Sequence, residues 1–322
     1  MRKLIFSAGT ESYIPFIRVL ARSFLNYHPD FDYYYFCLDP VSSKKYPNEC
    51  FKILPVTDLN IPEIYSFLMR YEIVEAATGV KPYCFDYLFN TIGADRVLFF
   101  DADIKVFARL TECLEMLEKN EVVLTPHITD PLPEDGLGMS NQVISIAGTY
   151  NMGFGAMAKG QSSQKVINFW KSMLYKYCYQ DPKNGLVVDQ KWMEFCPSLI
   201  GEKCGILRDQ RYNVAYWNLH ERGLKDVIFY HFSGINLLDL FPVSKYQNRW
   251  TLGNLPLEFT RLFENYRHEI FEAGYHDFMR LKYTWNYFDN GDPVTPAIRR
   301  AYRRIWEAEG EKFGNPFKTN IL

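Results

Sequence analysis

Asp101-Ala102-Asp103 follows directly on the apolar run Val97-Leu98-Phe99-Phe100, so two carboxylates emerge two residues apart where a strand covered on both faces would end. Ligand sites of open parallel sheets lie beyond the carboxyl ends of such strands. Two bare carboxylates there repel one another, and a hard divalent cation carrying phosphate oxygens is the usual partner of such a pair. A D-x-D also closes ordinary strands, so the rest of the chain has to decide between a metal site and a plain strand-to-loop junction.

The elements that must position this pair alternate between β and α. Leu4-Ile5-Phe6-Ser7 reads as a first strand, followed by the polar loop Ala8-Gly9-Thr10-Glu11-Ser12 and an amphipathic helix over about 14–25. A second strand is predicted over 33–38, ended by Asp39-Pro40, and a third over 51–54. Residues 62–91 are helical in pattern, with Lys81-Pro82 ending one helix and opening the next. After the strand at 97–100 come a helix over 110–117 and a strand over 122–125. The alternation predicts an α/β fold: a mixed, mostly parallel sheet flanked by helices on both faces.

Beyond a loop rich in Pro, Gly and acidic residues at 130–140, Tyr150-Asn151-Met152-Gly153-Phe154-Gly155-Ala156-Met157 reads as a glycine-punctuated strand. A helix over 163–177, a helix start at Asp189-Gln190 and a strand over 227–230 follow. Past about residue 240 the texture is aromatic and helical without strand alternation. The expected division is a main domain over 1–240 and a C-terminal helical extension over 241–322 packed on it.

With 48% hydrophobic and 23% charged residues over 322 positions, the chain is a folded globular protein, and its net charge of -2 gives no reason to expect nucleic acid as a partner. Seven cysteines without a CxxC pair fit neither a disulfide framework nor a structural zinc site, which points to the reducing cytoplasm. The apolar run at Leu4-Ile5-Phe6 is too short for a signal peptide, and no stretch approaches the roughly 20 residues of a membrane-spanning helix. Any membrane contact would therefore be peripheral. The high aromatic content, 17%, suits a sugar-binding cleft, although most of these side chains are expected in the core.

Taken in order, the first strand with its polar loop, Lys81-Pro82 ahead of Asp101-Ala102-Asp103, Asn151-Met152-Gly153, Asp189-Gln190 and His231-Phe232-Ser233-Gly234 resemble the metal-dependent glycosyltransferases of GT-A fold, in particular the retaining family 8. The resemblance spans about residues 4–234, and its specificity lies in the order of several short signals. It implies a Rossmann-like nucleotide-diphospho-sugar transferase domain over 1–240. The implied donor is a nucleotide sugar, UDP-linked, and the implied acceptor a glycan, lipid or protein.

The family pattern assigns a divalent cation, manganese or magnesium, to Asp101, Asp103 and His231. Such an ion offsets the charge that develops on a departing diphosphate, and one imidazole among oxygens suits manganese better than calcium. The same pattern implies donor contacts for Ser7, Ala8, Gly9, Thr10 and Tyr13 around the nucleoside, and for Lys81 beside the diphosphate or sugar. Asn151 and Gly153 would lie beside the transferred sugar, Asp189 would hydrogen-bond its hydroxyls, and Gln190 would face the reacting carbon. Ala102 and Gly234, inside the two metal-binding motifs, join the donor-binding set. Each position has a plainer reading: Tyr13 as packing, Asp189 as a helix cap, Gly153 as a strand glycine at a close backbone approach, His231 as a cleft filler.

One departure from the family pattern concerns the short Lys-Pro-Trp segment that usually follows His-Phe-x-Gly. Here residues 235–242 intervene before Ser244-Lys245-Tyr246-Gln247 and Arg249-Trp250, so Lys245 or Arg249 is the candidate for the phosphate role. Asn213, Trp217 and His220 are candidates for the acceptor side. The rival readings are a haloacid-dehalogenase-type magnesium phosphatase, a nucleotidyltransferase, an inverting transferase with Asp130, Asp189 or Glu221 as base, and a non-catalytic sugar-binding module. The phosphatase would want its D-x-D near the start of the core, and almost a hundred residues precede it here. A nucleotidyltransferase would want a basic, Gly-rich loop where Ser7 to Ser12 has no Lys or Arg.

Overall fold

The computed structural model describes residues 1–310 and 314–318. Its strands are β1 (Lys3–Gly9), β2 (Phe31–Cys37), β3 (Lys52–Pro55), β4 (Arg96–Phe100), β5 (Ile104–Val106), β6 (Val122–Pro126), β7 (Tyr150–Ala158), β8 (Gln180–Asp181), β9 (Leu186–Val187), β10 (Cys204–Ile206) and β11 (Phe229–His231). Seven of them form one sheet in the order β10-β6-β7-β4-β1-β2-β3. The pairs β1–β2, β1–β4, β2–β3 and β6–β10 are parallel, whereas β7 runs antiparallel to both β4 and β6. The sheet is thus mixed and mostly parallel, as its β-α alternation predicts.

Side chains alternate across this sheet, so each central strand feeds two cores. Ile5, Tyr33, Tyr35, Leu98 and Phe100 meet the helices Ile14–Tyr27 and Leu257–Glu272 on one face. Leu4, Phe6, Phe36, Val97 and Phe99 meet the helices Ile64–Arg70, Lys81–Asn90 and Gln161–Tyr177 on the other. Burial on both faces explains why these strands are written as unbroken apolar runs.

Two short pairings lie outside the main sheet: β5 with β11 and β8 with β9, both antiparallel. Strands of two or three residues carry no readable period, and β5, β8, β9 and β10 went unforeseen for that reason. Asp189-Gln190 does open a helix, a 3-10 turn over Gln190–Phe195.

The C-terminal residues are tied to the sheet at the end of β2. The Trp285 indole donates to the Leu38 carbonyl at 2.6 Å, and Asp39 accepts from the backbone N–H groups of Thr284 and Glu11, each at 2.8 Å. Arg299 is buried, and its guanidinium donates to the carbonyls of Leu68, Met69, Tyr71 and Trp285 and to the Asn286 amide oxygen. No helix among the described residues is long and apolar enough to cross a membrane.

Candidate active site

β4 ends at Phe100, and the backbone N–H of Asp101 donates to the Gly153 carbonyl of β7 at 2.7 Å. The chain turns and re-forms as β5, whose Ile104 pairs with His231 of β11. The Phe232 N–H donates to the Asp103 carbonyl at 2.8 Å, so a backbone ladder fixes His231 alongside Asp103. One ligand atom each from Asp101, Asp103 and His231 falls within 4.8 Å of the others. His231 Nε2 lies 3.1 Å from an Asp103 oxygen and 4.0 Å from an Asp101 oxygen.

This donor set fits a divalent cation. Separations of 3 to 4 Å are what two donors on one ion would show if each bond were about 2.1 Å. Two carboxylates with one imidazole form a mixed O/N set of borderline hardness. His231 is buried while Asp101 is partly open to the cavity, so the three close off one side of the position and leave the other to a ligand.

His231 owes its place to small and flat neighbours. A β-carbon on Gly153 would fall 2.2 Å from its Cε1, so only glycine fits at that position of β7. The Trp217 ring stands edge-on to the imidazole, centroids 5.2 Å apart at 87°.

Lys81 opens the helix Lys81–Asn90, and its side chain is buried against the Phe99 ring with Nζ 4.2 Å from the centroid. The ammonium lies 2.7 Å from Asp189, 3.4 Å from Asp101 and 2.9 Å from the Met152 carbonyl. Burial alone would push the lysine down, but the two carboxylates outweigh it and hold it above its ordinary range. Asp189 is pushed up to about 6, because its desolvation exceeds the pull of Lys81. For Asp103 burial also pushes upward, yet the imidazole of His231 beside it leaves it below the usual carboxylate range. One ammonium therefore faces three carboxylates, a local excess of negative charge that a cation would offset.

The floor of the site is a network of amides. The Asn151 oxygen accepts from the Gly153 N–H at 3.1 Å and from the Asn213 amide at 3.0 Å, and its amide nitrogen lies 3.2 Å from His127 Nε2. Gln190 accepts from the Met152 N–H at 3.1 Å and donates to the Ala147 carbonyl at 2.7 Å, so both ends of its amide are held by backbone. Asp189 itself is anchored from behind, where the Trp170 indole donates to its carbonyl at 3.0 Å. Asp101, Lys81, Asn151, Gly153, Asp189, Gln190 and His231 all line one cavity of about 1060 Å³.

The remaining candidates sit less directly on this cavity. The Ser7 hydroxyl is buried, donating to the Phe100 carbonyl at 2.6 Å and paired with the Tyr33 hydroxyl at 2.7 Å. Gly9 makes room for Tyr35, whose hydroxyl donates to the Thr10 carbonyl at 2.6 Å. Ala8 precedes them at the end of β1, and Tyr13 is 41% exposed beside Phe16. Partial burial, with the negative charge of Asp103 and Asp101 among the added causes, pushes the Tyr13 phenol up to about 12. Ala102 is buried between the two carboxylates.

Gly234 has φ +73° and leaves room for Ser244 and Tyr246, and its carbonyl accepts from the Lys245 N–H at 3.0 Å. The Lys245 side chain is exposed, its ammonium 5.0 Å from the Tyr246 ring centroid. Arg249 is buried in a bidentate pair with Asp135, both contacts 2.8 Å, and donates to the Met139 carbonyl. It holds the 133–139 loop, which leaves Lys245 as the cation of that segment open to solvent. Trp217 lines the cavity and Asn213 is buried behind it, holding Asn151, whereas His220 is bound to the Asp130 carbonyl at 2.8 Å. Glu221 accepts from Thr129, the Asp130 N–H and Arg222, so it offers no free base.

Sequence reasoning passed over His127, which follows β6 and packs edge-on to Trp217, and Tyr246, which lines the cavity. It also passed over the part that residues 286–299 take in the cavity wall. A polar residue directly after the Val122–Pro126 strand was a readable signal for His127; nothing local marked the others.

No model of a known protein family matches the chain. A segment covering 45% of it is 24% identical over 159 residues to the uncharacterized protein YfnF of Bacillus subtilis (strain 168), and the match spans half the length of that relative. Among solved structures, the chain is similar to the glycosyltransferase GlyE of Streptococcus pneumoniae TIGR4, at 15% identity and TM-score 0.49 over 86% of this chain and 64% of that one. It is also similar to the galactosyltransferase LgtC in complex with donor and acceptor sugar analogues, at 15% identity and TM-score 0.45 over 82% and 95% of the two chains.

Proposed function

We propose that the chain transfers a sugar from a nucleotide-diphosphate donor, UDP-linked, to a hydroxyl of a glycan, lipid or protein, with a divalent cation and with retention at the anomeric carbon. The observation that carries this reading is the convergence of Asp101, Asp103 and His231 beside the buried Lys81–Asp189 pair, with Asp101, His231, Lys81 and Asp189 lining one cavity. Manganese or magnesium bound by those three residues would supply charge stabilisation for the leaving diphosphate.

The chain's own residues do the rest. Lys81 keeps its proton and neutralises Asp189, which then serves as a fixed hydrogen-bond acceptor for sugar hydroxyls. Asn151, held by Asn213 and Gly153, sets the floor on which the sugar rests. Gln190 acts through its contact with the β7 backbone, keeping Met152 and Gly153 in place under the reacting carbon. The Ala8–Thr10 backbone, Tyr13 and Ala102 take the nucleoside, and Gly234 and Lys245 flank the diphosphate. Retention is supported at two of the three alternative bases, since Glu221 is enclosed in hydrogen bonds and Asp189 is paired to Lys81, which leaves the exposed Asp130 as the carboxylate an inverting reaction would have to use.

On this reading residues 1–240 are the catalytic domain and residues 241–322 an extension from which Tyr246 and residues between 286 and 299 complete the cavity wall, and the protein works in the cytoplasm. The test is incubation with manganese and a panel of nucleotide sugars, with and without chelator. Metal-dependent release of nucleoside diphosphate supports the transferase. Release of inorganic phosphate would point to the phosphatase, and no release to a binding module. Proton NMR of the product linkage decides retention.

A further inference from the structure

The cavity that holds Asp101 and His231 is also lined by Ile73, Val74, Asn286, Tyr287, Val294 and Thr295. At about 1060 Å³ it lies just above the roughly 300–1,000 Å³ range of small-molecule sites, enough for more than the transferred sugar alone. This second arm lies between the helix Ile73–Gly79 and the C-terminal residues, and its chemistry restricts what can enter.

Lysine and arginine occur twice in the wall of this cavity, as Lys81 and Arg299, and both are buried and committed. Lys81 serves Asp189, Asp101 and the Met152 carbonyl. Arg299 serves backbone carbonyls and Asn286. Lys282 lies outside the wall, with its ammonium 5.1 Å from the Tyr287 ring centroid. Glu72, exposed at the rim, adds a negative charge. A carboxylate or phosphate entering the arm would lose hydration without meeting a free cation among the described residues of its wall. A neutral saccharide would instead find the Tyr287 hydroxyl, the Asn286 amide nitrogen, whose oxygen partner is held by Arg299, and the apolar faces of Val74 and Val294.

We propose that this arm is the acceptor subsite and that it selects a neutral saccharide over an anionic one. The proposal rests on the transferase reading and extends it to the class of acceptor. The test is calorimetric titration of the full chain with magnesium present, using lactose, cellobiose and maltose and the same disaccharides oxidised at one C6 to the uronate. The expected result is roughly tenfold tighter binding of the neutral form. Val74 is 63% exposed, so Val74→Lys places a free ammonium in the arm without touching the core, and it should narrow that gap severalfold. Equal or tighter binding of the uronates by the unmodified chain, binding of neither set, or an unchanged gap in Val74→Lys overturns the proposal. Donor consumption measured on the same preparation separates the two readings: neutral selectivity without turnover of any nucleotide sugar counts against the transferase, not against the subsite.

Discussion

Gly153 and His231 are in such close apposition that a β-carbon on the glycine would lie 2.2 Å from imidazole Cε1 and 2.7 Å from Nδ1. The imidazole cannot yield without leaving Asp103 or striking Trp217. Gly153→Ala should therefore cost at least about a hundredfold in kcat, with weaker metal binding, since a misplacement near 1 Å is worth that much. Circular dichroism should remain native. An active Gly153→Ala enzyme would mean that His231 is not held where it is needed.

Asp103→Ala should abolish metal-dependent turnover while the fold survives, because Asp103 is partly exposed and the ladder that joins it to His231 and Phe232 is made by backbone, not by its carboxylate. Manganese titration read by electron paramagnetic resonance should lose the site. Wild-type turnover in this variant would remove the metal assignment.

Lys81→Met tests the buried ion pair. It leaves Asp189 enclosed without its ammonium, an arrangement that costs on the order of 3–5 kcal/mol, whereas the double change Lys81→Met with Asp189→Asn should recover part of that loss. Urea denaturation of the single and double variants measures it. Both should be inactive, so stability and activity separate.

Acid stability should depend on His28. Its Nε2 accepts from the Leu110 N–H at 3.1 Å, and burial, aided by the charge of Arg109, lowers its pKa from 6.5 to about 4. The unfolded chain therefore takes up a proton near pH 6.5 that the folded chain refuses until about pH 4. Stability from this residue is full above that window and falls as the pH drops through it, by on the order of 3 kcal/mol. Denaturant midpoints at pH 7.5 and 4.5 should differ less in His28→Gln than in the unmodified chain.

Lys245→Ala should raise KM for the nucleotide sugar, whereas Arg249→Ala should lower the melting temperature through loss of the Asp135 pair. Unchanged KM in Lys245→Ala would remove that lysine from the donor site.

The sheet was legible because burial on both faces leaves unbroken apolar runs, as at Val97 to Phe100 and Val122 to Leu124. The candidate site was legible as far as its motifs end strands or open helices, which covers Asp101, Asp103, Lys81, Asp189 and His231. Partners supplied by packing were not. Arg249 looked like a free cation because Asp135 is more than a hundred positions away in sequence. Ser7 looked like a ligand contact because nothing local announces Tyr33 above its hydroxyl. His127 and Asn213 meet Asn151 only once β6, β7 and the segment before β11 are assembled.

The pairing of Ile104 with His231 also has a bearing on how the molecule is made. Two acidic residues are synthesised early and their imidazole partner more than a hundred residues later, so the proposed cation position does not exist in a nascent chain that stops before β11. Closing so long a loop is entropically slow, and the three-residue strand that closes it has little pairing energy of its own. Metal added during refolding should therefore act late, capturing molecules whose sheet has already formed, and should slow unfolding more than it speeds folding.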